Sequence, residues 1–262
     1  MNFYDNFISN LRLKKITVGV IGMGYVGLPL AILAAKKNFR VLGYERDPYR
    51  FKMLKKKKSY FTNIPSSSLS VFSKKTKFFK KFSNISDCDI LIICLPTPLK
   101  KNRPDLSHII NLMKSISPQL KKGQLLILES TSYPGTTREE ICEKLNSKFH
   151  LGKELFVGFS SERINPGIND KKIDEIPKVV SGYSRRCLNL SVKFYSNLFK
   201  HIVKAKSLEY AEFSKLLENI YRSVNIGFIN EMKFIADKFK LDIFEILSIS
   251  NTKPYGFSRF DP

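Results

Sequence analysis

Short apolar runs alternate with longer amphipathic segments along most of the chain. The apolar runs lie near residues 16–21, 40–44, 87–99, 124–129 and 155–159. Strands that alternate with helices are typical of a parallel sheet covered by helices on both faces. The pattern therefore predicts an α/β fold.

The pattern changes after residue 205. Residues 206–239 contain no proline and one glycine, and their apolar side chains recur every three or four positions. This spacing predicts one helix of about thirty residues, roughly 45 Å long. A helix of that length does not fit on a sheet of this size, so we predict that it forms the spine of a second domain or of a dimer. The predicted domains are residues 1–205 and 206–262.

A glycine-rich turn follows the first apolar run in the sequence ITVGVIGMGYVGLPLA. In G-x-G-x-x-G spacing, Gly22 allows a sharp turn off the strand, Gly24 allows the backbone to approach a pyrophosphate, and Gly27 allows close helix packing. The helix that follows presents free N–H groups to phosphates. We therefore predict a Rossmann-like domain. The predicted cofactor-binding turn comprises Gly22, Met23, Gly24, Tyr25, Val26 and Gly27.

The end of the second strand supports a dinucleotide site. Glu45 follows the glycines by roughly twenty residues, where such folds place the carboxylate that binds the adenosine ribose. This carboxylate would repel a 2'-phosphate, so the sequence favours NAD over NADP, although Arg46 beside it is a mild counter-argument. Arg50 lies on the first turn of the next predicted helix, close enough to assist at the ribose.

Polar residues also end the later strands, where open α/β folds bind ligands. Thr97 lies in a Pro-Thr-Pro turn and is a candidate cofactor contact, although an ordinary strand exit would look the same. Thr131 could orient a water or the nicotinamide, or serve as a cap. Glu162 precedes a Pro166-Gly167 turn and could steer a water or act as a general base, or be a surface carboxylate.

The predicted long helix carries a polar stripe of Lys215, Asn219 and Arg222. Spacings of four and three residues place these side chains on one helix face. A solvated face is the usual explanation, but the stripe adjoins a predicted cofactor domain, so we interpret it as catalytic.

Composition limits the functional classes. The chain has 262 residues, of which 43% are hydrophobic, and it has no long uninterrupted apolar run, so we expect no membrane span. The N-terminus has no signal-peptide core, which makes the cytoplasm the expected location. The net charge of +22 comes from scattered lysines without a nucleic-acid recognition module. We therefore do not expect nucleic acid as a principal partner.

The four cysteines are Cys88, Cys94, Cys142 and Cys187. They lack C-x-x-C spacing, so we predict buried free thiols and no metal site.

Together these segments resemble the UDP-glucose/GDP-mannose dehydrogenase family. The resemblance covers residues 14–257 and rests on GMGYVGLPLA, LPTP, ESTSYPGTT, SSERINPG and AEFSKLLENIYRSVNIGFINE, in that order. ESTSYPGTT and TKPYGF resemble most the branch that acts on UDP-N-acetylhexosamines.

The resemblance implies a chemistry and a set of roles. Family members transfer two hydrides in turn from the sugar C6 alcohol to NAD, through an aldehyde and a cysteine thioester that water hydrolyses. By position, the glycines, Glu45, Arg50 and Thr97 would hold NAD. Thr131 and Glu162 would position the hydrolytic water, and Lys215 and Asn219 would stabilise oxyanions at C6. A homodimer through the long helix is also expected.

Two departures from the family pattern stand out. Ser161 occupies the position of a usual proline, and the sequence ends at SNTKPYGFSRFDP, before the segment in which the family keeps its nucleophilic cysteine and a nearby aspartate. The C-terminal nucleotide-sugar-binding domain is also absent from this sequence. We therefore expect a truncated or split family member that binds NAD but does not complete the four-electron oxidation alone.

Two other interpretations remain open. A relative of the 6-phosphogluconate and 3-hydroxyacid dehydrogenases would also join a Rossmann domain to a long helix with Lys-x-x-x-Asn, without needing a cysteine. A non-catalytic NAD-binding half of a split enzyme is the second alternative.

Overall fold

The computed structural model describes residues 2–72, 75–101, 103–163 and 172–262. The described residues form two compact units, Met1–Phe213 and Ser214–Pro262. The domain boundary expected at residue 205 remains a prediction.

The first unit is built on a sheet whose strands follow the predicted apolar runs. The strands are β1 (Thr17–Ile21), β2 (Arg40–Tyr44), β3 (Thr76–Phe79), β4 (Ile90–Ile93), β5 (Leu99–Lys100), β6 (Arg103–Pro104), β7 (Leu125–Leu128), β8 (Phe156–Ser160), β9 (Lys178–Gly182) and β10 (Ile202–Lys204). β5 and β6 form a separate small hairpin, and the other strands form one sheet in the order β10-β9-β8-β7-β4-β1-β2-β3.

Helices separate most of these strands. They are α1 (Phe3–Arg12), α2 (Gly27–Lys36), α3 (Pro48–Lys55), α4 (Ser107–Ile116), α5 (Glu143–Asn146), α6 (Arg185–Tyr195), α7 (Leu208–Lys238) and α8 (Ile243–Ser250). A π-helical turn, Arg138–Cys142, precedes α5. The 31 residues of α7 confirm the predicted long helix.

The order β3-β2-β1-β4-β7-β8 is that of a Rossmann sheet, and all its pairs are parallel. Successive residues of a strand point to opposite faces, so Ile90 and Ile92 enter one hydrophobic core while Leu91 and Ile93 enter another. The mostly parallel sheet with a hydrophobic core on each face confirms the predicted fold class.

Two strands depart from the predicted parallel pattern. β9 pairs antiparallel with β8, and β10 pairs parallel with β9, so both run opposite to the other strands of the sheet. This reversal brings the first residue of β9, Lys178, to the carboxyl edge of the parallel strands.

Candidate functional site

A cleft of about 800 Å³ opens at the carboxyl edge of the sheet, between the ends of β1 and β4. The chain switches there from building the sheet outward on the β2 side to building it on the β4 side, which is where open α/β folds bind ligands. Its lining residues are Gly22, Gly24, Tyr25, Val26, Glu45, Arg46, Arg50, Cys94, Leu95, Pro96, Thr97, His108, Glu129, Ser130 and Thr131.

The glycine turn forms one wall of the cleft. Gly22 has a φ of +89°, which side chains rarely tolerate, and a Cβ at Gly27 would lie 1.9 Å from the Gly22 carbonyl oxygen. At Gly24 a Cβ would meet no protein atom within 4 Å. The turn thus brings bare backbone to the cleft directly before α2, an arrangement that fits a pyrophosphate.

Glu45 lies at the end of β2 and lines the same cleft. Its side chain is 7% exposed, and its oxygens accept hydrogen bonds from the backbone N–H groups of Met23 (3.3 Å) and Asp47 (2.9 Å). Arg50 sits on the first turn of α3, where the Asp47 side chain caps the helix by accepting from the Arg50 N–H at 2.7 Å. The structure therefore brings together Glu45 and Arg50, the residues predicted for the adenosine end. Met23 and Gly27 lie behind the residues that line the cleft.

Thr97 and Thr131 lie on adjacent strand exits. The Thr97 hydroxyl donates to the Thr131 carbonyl at 2.5 Å, and Ser130 Oγ accepts from the Leu95 N–H at 3.0 Å. These bonds join the loop after β4 to the loop after β7. Both threonines therefore line one cleft with the glycine turn.

A buried ionic cluster lies at the other end of the cleft. Lys178 Nζ donates to Glu129 Oε2 at 2.6 Å and to the Ser161 carbonyl at 3.2 Å, and lies 3.6 Å from Glu162 Oε2. The Tyr195 hydroxyl donates to the second oxygen of Glu129. Glu129 and Lys178 are almost wholly buried, whereas Glu162 is partly exposed. Of the two carboxylates, Glu129 lines the cleft.

Burial and charge act against each other within this cluster. Burial tends to lower the pKa of Lys178, but the charges of Glu129 and Glu162 outweigh it, and the net pKa is raised. Burial raises the pKa of Glu129, and the negative charge of Glu162 adds to the rise against the effect of Lys178. Lys178 is therefore held as a cation between two acids.

Sequence reasoning missed Lys178, Glu129 and Tyr195 as members of the site. Glu129 stood at a predicted strand end, which was an available signal. A lysine opening the apolar run KVVSG was a weaker signal, and it points to the cleft only once β9 is known to run antiparallel. Nothing in the sequence indicated Tyr195, because its contact with Glu129 depends on how α6 packs on the sheet.

The loop that follows Thr131 is anchored by the start of α7. Glu212 is fully buried and accepts hydrogen bonds from the N–H groups of Gly135 (2.7 Å) and Thr137 (2.8 Å) and from the Thr137 hydroxyl (2.6 Å). Burial raises the pKa of Glu212 despite these bonds. Arg138 Nε donates to Glu209 at 2.6 Å beside it.

Lys215 and Asn219 belong to the second unit, one turn apart on α7, and Asn219 Oδ1 accepts from Arg222 at 3.1 Å. Their predicted roles remain predictions. The Pro166-Gly167 turn lies outside the described residues.

All four cysteines are buried and free. Burial raises the pKa of Cys94 well above its usual value, and that of Cys88 to about 12. Among the described residues, no group of three or more His, Cys, Asp or Glu side chains is placed to hold a metal ion. Every helix in the described part of the chain is too short or too polar to traverse a bilayer.

Comparison with family models covers nearly the whole chain. Residues 16–203 match the NAD binding domain of the UDP-glucose/GDP-mannose dehydrogenase family, and residues 209–262 match its central domain. These matches confirm the predicted resemblance and NAD as the cofactor. They disfavour the 6-phosphogluconate and 3-hydroxyacid dehydrogenase alternative.

Individual relatives agree with the family match. The chain is 35% identical to Protein CapL of Staphylococcus aureus over 94% of this chain and 58% of CapL. It is 33% identical to the UDP-N-acetyl-D-glucosamine 6-dehydrogenase of Pseudomonas aeruginosa, over 95% and 60%. The structure of a UDP-D-ManNAc dehydrogenase from Pyrococcus horikoshii superposes with a TM-score of 0.85 at 29% identity, over 92% and 59%. The chain thus spans less than two thirds of each relative.

Proposed function

The chain belongs to the UDP-glucose/GDP-mannose dehydrogenase family, and from that premise we propose that it acts in the NAD-dependent oxidation of the C6 alcohol of a UDP-N-acetylhexosamine. The observation that carries the proposal is the single cleft in which the glycine turn, Glu45, Thr97 and Thr131 converge. The names of the relatives, which include a UDP-N-acetyl-D-glucosamine 6-dehydrogenase, support this substrate class.

In this proposal the glycine turn holds the pyrophosphate, Glu45 and Arg50 hold the adenosine ribose, and Thr97 orients the rest of the cofactor. NAD, when bound, would supply the acceptor for hydride from the sugar carbon. The protein supplies a preformed site for it, since Met23, Glu45 and Thr97 already make the hydrogen bonds that fix their positions.

We assign Thr131 and Glu162 to the positioning of water. The contact of Lys178 Nζ with Glu162 Oε2 at 3.6 Å supports this role, because Lys178 also binds Glu129, which lines the cleft, and so holds the Glu162 carboxyl group beside the cleft. Lys215 and Asn219 would stabilise the oxyanion that develops at C6, as an ammonium and an amide on one helix face are suited to do.

The acid-forming step needs a nucleophile that the four cysteines do not supply. Cys94 lines the cleft, but its raised pKa keeps it a thiol, and a thiol is a poor nucleophile. We propose that the residues of this chain support cofactor binding and hydride transfer, and that none of these cysteines forms the thioester.

Nucleotide binding and substrate oxidation test the proposal together. The purified chain is titrated with NADH and NADPH by fluorescence, and is then mixed with NAD and UDP-N-acetylglucosamine, UDP-N-acetylmannosamine or a small 3-hydroxyacid. We expect NADH to bind more tightly than NADPH, and Glu45→Gln to reduce the ratio of the two affinities. We expect no oxidation of the hydroxyacid. Failure to bind NADH, or oxidation of the hydroxyacid, would overturn the proposal.

We also propose a homodimer through α7 and a cytoplasmic location. Leu217, Val224 and Phe228 expose between 57% and 63% of their surface along this helix, which supports a protein partner on it. Four buried free thiols support a reducing compartment. Sedimentation of the purified chain, with Val224→Lys as the disrupting variant, tests the dimer.

A further inference from the structure

The central residue of the glycine turn has both of its backbone polar groups occupied. The Met23 N–H donates to Glu45 Oε2 at 3.3 Å, and the Met23 carbonyl accepts from the Tyr60 hydroxyl at 2.5 Å. The Met23 side chain is fully buried. The peptide between Gly22 and Gly24 is therefore held from two sides by side chains distant in sequence.

Tyr60 also belongs to an aromatic group beside the cleft. The Arg50 guanidinium carbon lies 5.8 Å from the ring centroids of both Tyr60 and Phe61. The Phe61 ring packs against the Tyr25 ring in a tilted arrangement, with the ring centroids 4.0 Å apart. Arg50 and Tyr25 line the cleft, whereas the two rings behind them do not. A cation packed on aromatic rings loses freedom to point elsewhere.

The segment that carries these rings is itself fixed. The Ser59 hydroxyl donates to the Phe61 carbonyl and accepts from the Phe61 N–H, each at 3.1 Å. Burial raises the pKa of Tyr60, and the negative charge of Glu45 adds to the rise, so the phenol remains a hydrogen-bond donor across the physiological range.

We infer that Tyr60 is a positioning residue of the cofactor site: its hydroxyl fixes the pyrophosphate-binding turn through the Met23 carbonyl, and its ring fixes Arg50 at the adenosine end. This inference rests on the NAD site of the proposed function. The side chain makes two separate contributions. Its hydroxyl affects phosphate binding through the turn, and its ring affects adenosine binding through Arg50.

Two substitutions separate these contributions. Tyr60→Phe keeps the ring and removes the hydroxyl, whereas Tyr60→Leu removes both. Isothermal titration with NADH and ADP-ribose, and ligand-observed NMR with adenosine, give the affinities. For Tyr60→Phe we expect NADH and ADP-ribose to bind about five-fold more weakly, the effect of one neutral hydrogen bond, with adenosine unchanged. Tyr60→Leu should weaken adenosine as well.

Tyr49 provides the matched control, because it lies on α3 near Arg50 but is 63% exposed. Tyr49→Phe and Tyr49→Leu should leave all three affinities unchanged, and thermal melting reports any general loss of stability. Unchanged NADH binding by Tyr60→Phe, or equal weakening of all three ligands, would overturn the inference. A wild-type chain that fails to bind NADH would overturn the proposed function instead.

Discussion

Backbone atoms shape one end of the cleft, whereas charged side chains shape the other. At the β1–β2 end the shape comes from backbone: a glycine with positive φ, a glycine in contact with a carbonyl, and peptide groups bonded to Glu45 and Tyr60. At the β7–β9 end it comes from charged side chains, with Lys178 between Glu129 and Glu162 and with Glu212 beneath the loop after Thr131.

This difference has physical consequences. Backbone geometry is fixed by sterics and does not change with pH, so the glycine end should be most sensitive to atoms added to its glycines. Buried charges depend on their partners and on protonation, so the charged end should fail when one partner is removed. The following substitutions test this contrast.

Lys178→Met should have the largest effect. It leaves Glu129 and its neighbour Glu162 without their cation, and removing one member of a buried pair costs about 3–5 kcal/mol of unfolding free energy. Denaturant unfolding at neutral pH measures the loss. The double variant Lys178→Met with Glu129→Gln should recover much of it, since the buried charge is then absent as well. A loss below about 1 kcal/mol would show that water already solvates the cluster.

Gly27→Ala should come next. Its Cβ would lie 1.9 Å from the Gly22 carbonyl oxygen, so the turn must move, and a displacement of about 1 Å costs on the order of 100-fold in function at such sites. NADH affinity measures the effect. Gly27→Ala should also lower the free energy of unfolding, whereas Gly24→Ala should lower NADH affinity alone, because its Cβ would meet no protein atom. Equal stability losses in both variants would contradict this account.

Glu212→Gln should have an intermediate effect. An amide nitrogen replaces one of the oxygens that accept from Gly135 and Thr137, which leaves a buried donor facing another donor. The expected loss is about 1–3 kcal/mol, measured by denaturant unfolding. Glu231→Gln, at an exposed position of α7, should change stability little. Similar losses of unfolding free energy in both variants would show that the hydrogen bonds of Glu212 contribute no more to stability than an exposed glutamate does.

The same contrast explains what the sequence could predict. Gly22, Gly24, Gly27 and Glu45 belong to one continuous β-α-β stretch, so local geometry determines where they lie relative to one another. Thr97 and Thr131 followed from the general rule that strand ends converge in a parallel sheet.

The charged end was beyond local reasoning. Lys178 reaches Glu129 because β9 runs against β8, a choice made by the packing of the whole sheet. Within the apolar run at 87–99, strand pairing covers Ile90–Ile93 and ends before the predicted Pro-Thr-Pro turn, whose prolines cannot donate ladder hydrogen bonds. Tyr60 gave no signal, since its partner Met23 lies 37 residues away.

Glu209→Gln should have the smallest effect and a distinct pH dependence. Partial burial acts to raise the pKa of Glu209, but hydrogen bonds from Arg138 and Ser207 outweigh it and lower the pKa from 4.5 to about 2. A depressed carboxyl pKa stabilises the fold above pH 4.5, and this contribution is lost as pH falls from 4.5 towards 2. The side chains of Arg138 and Glu209 are 41% and 35% exposed, so solvent screening keeps the effect below about 1 kcal/mol. Unfolding free energies across this pH range should therefore converge for wild type and variant at the acid end and separate above pH 4.5. A constant difference would mean that shape, and not charge, accounts for the contribution of Glu209 to stability.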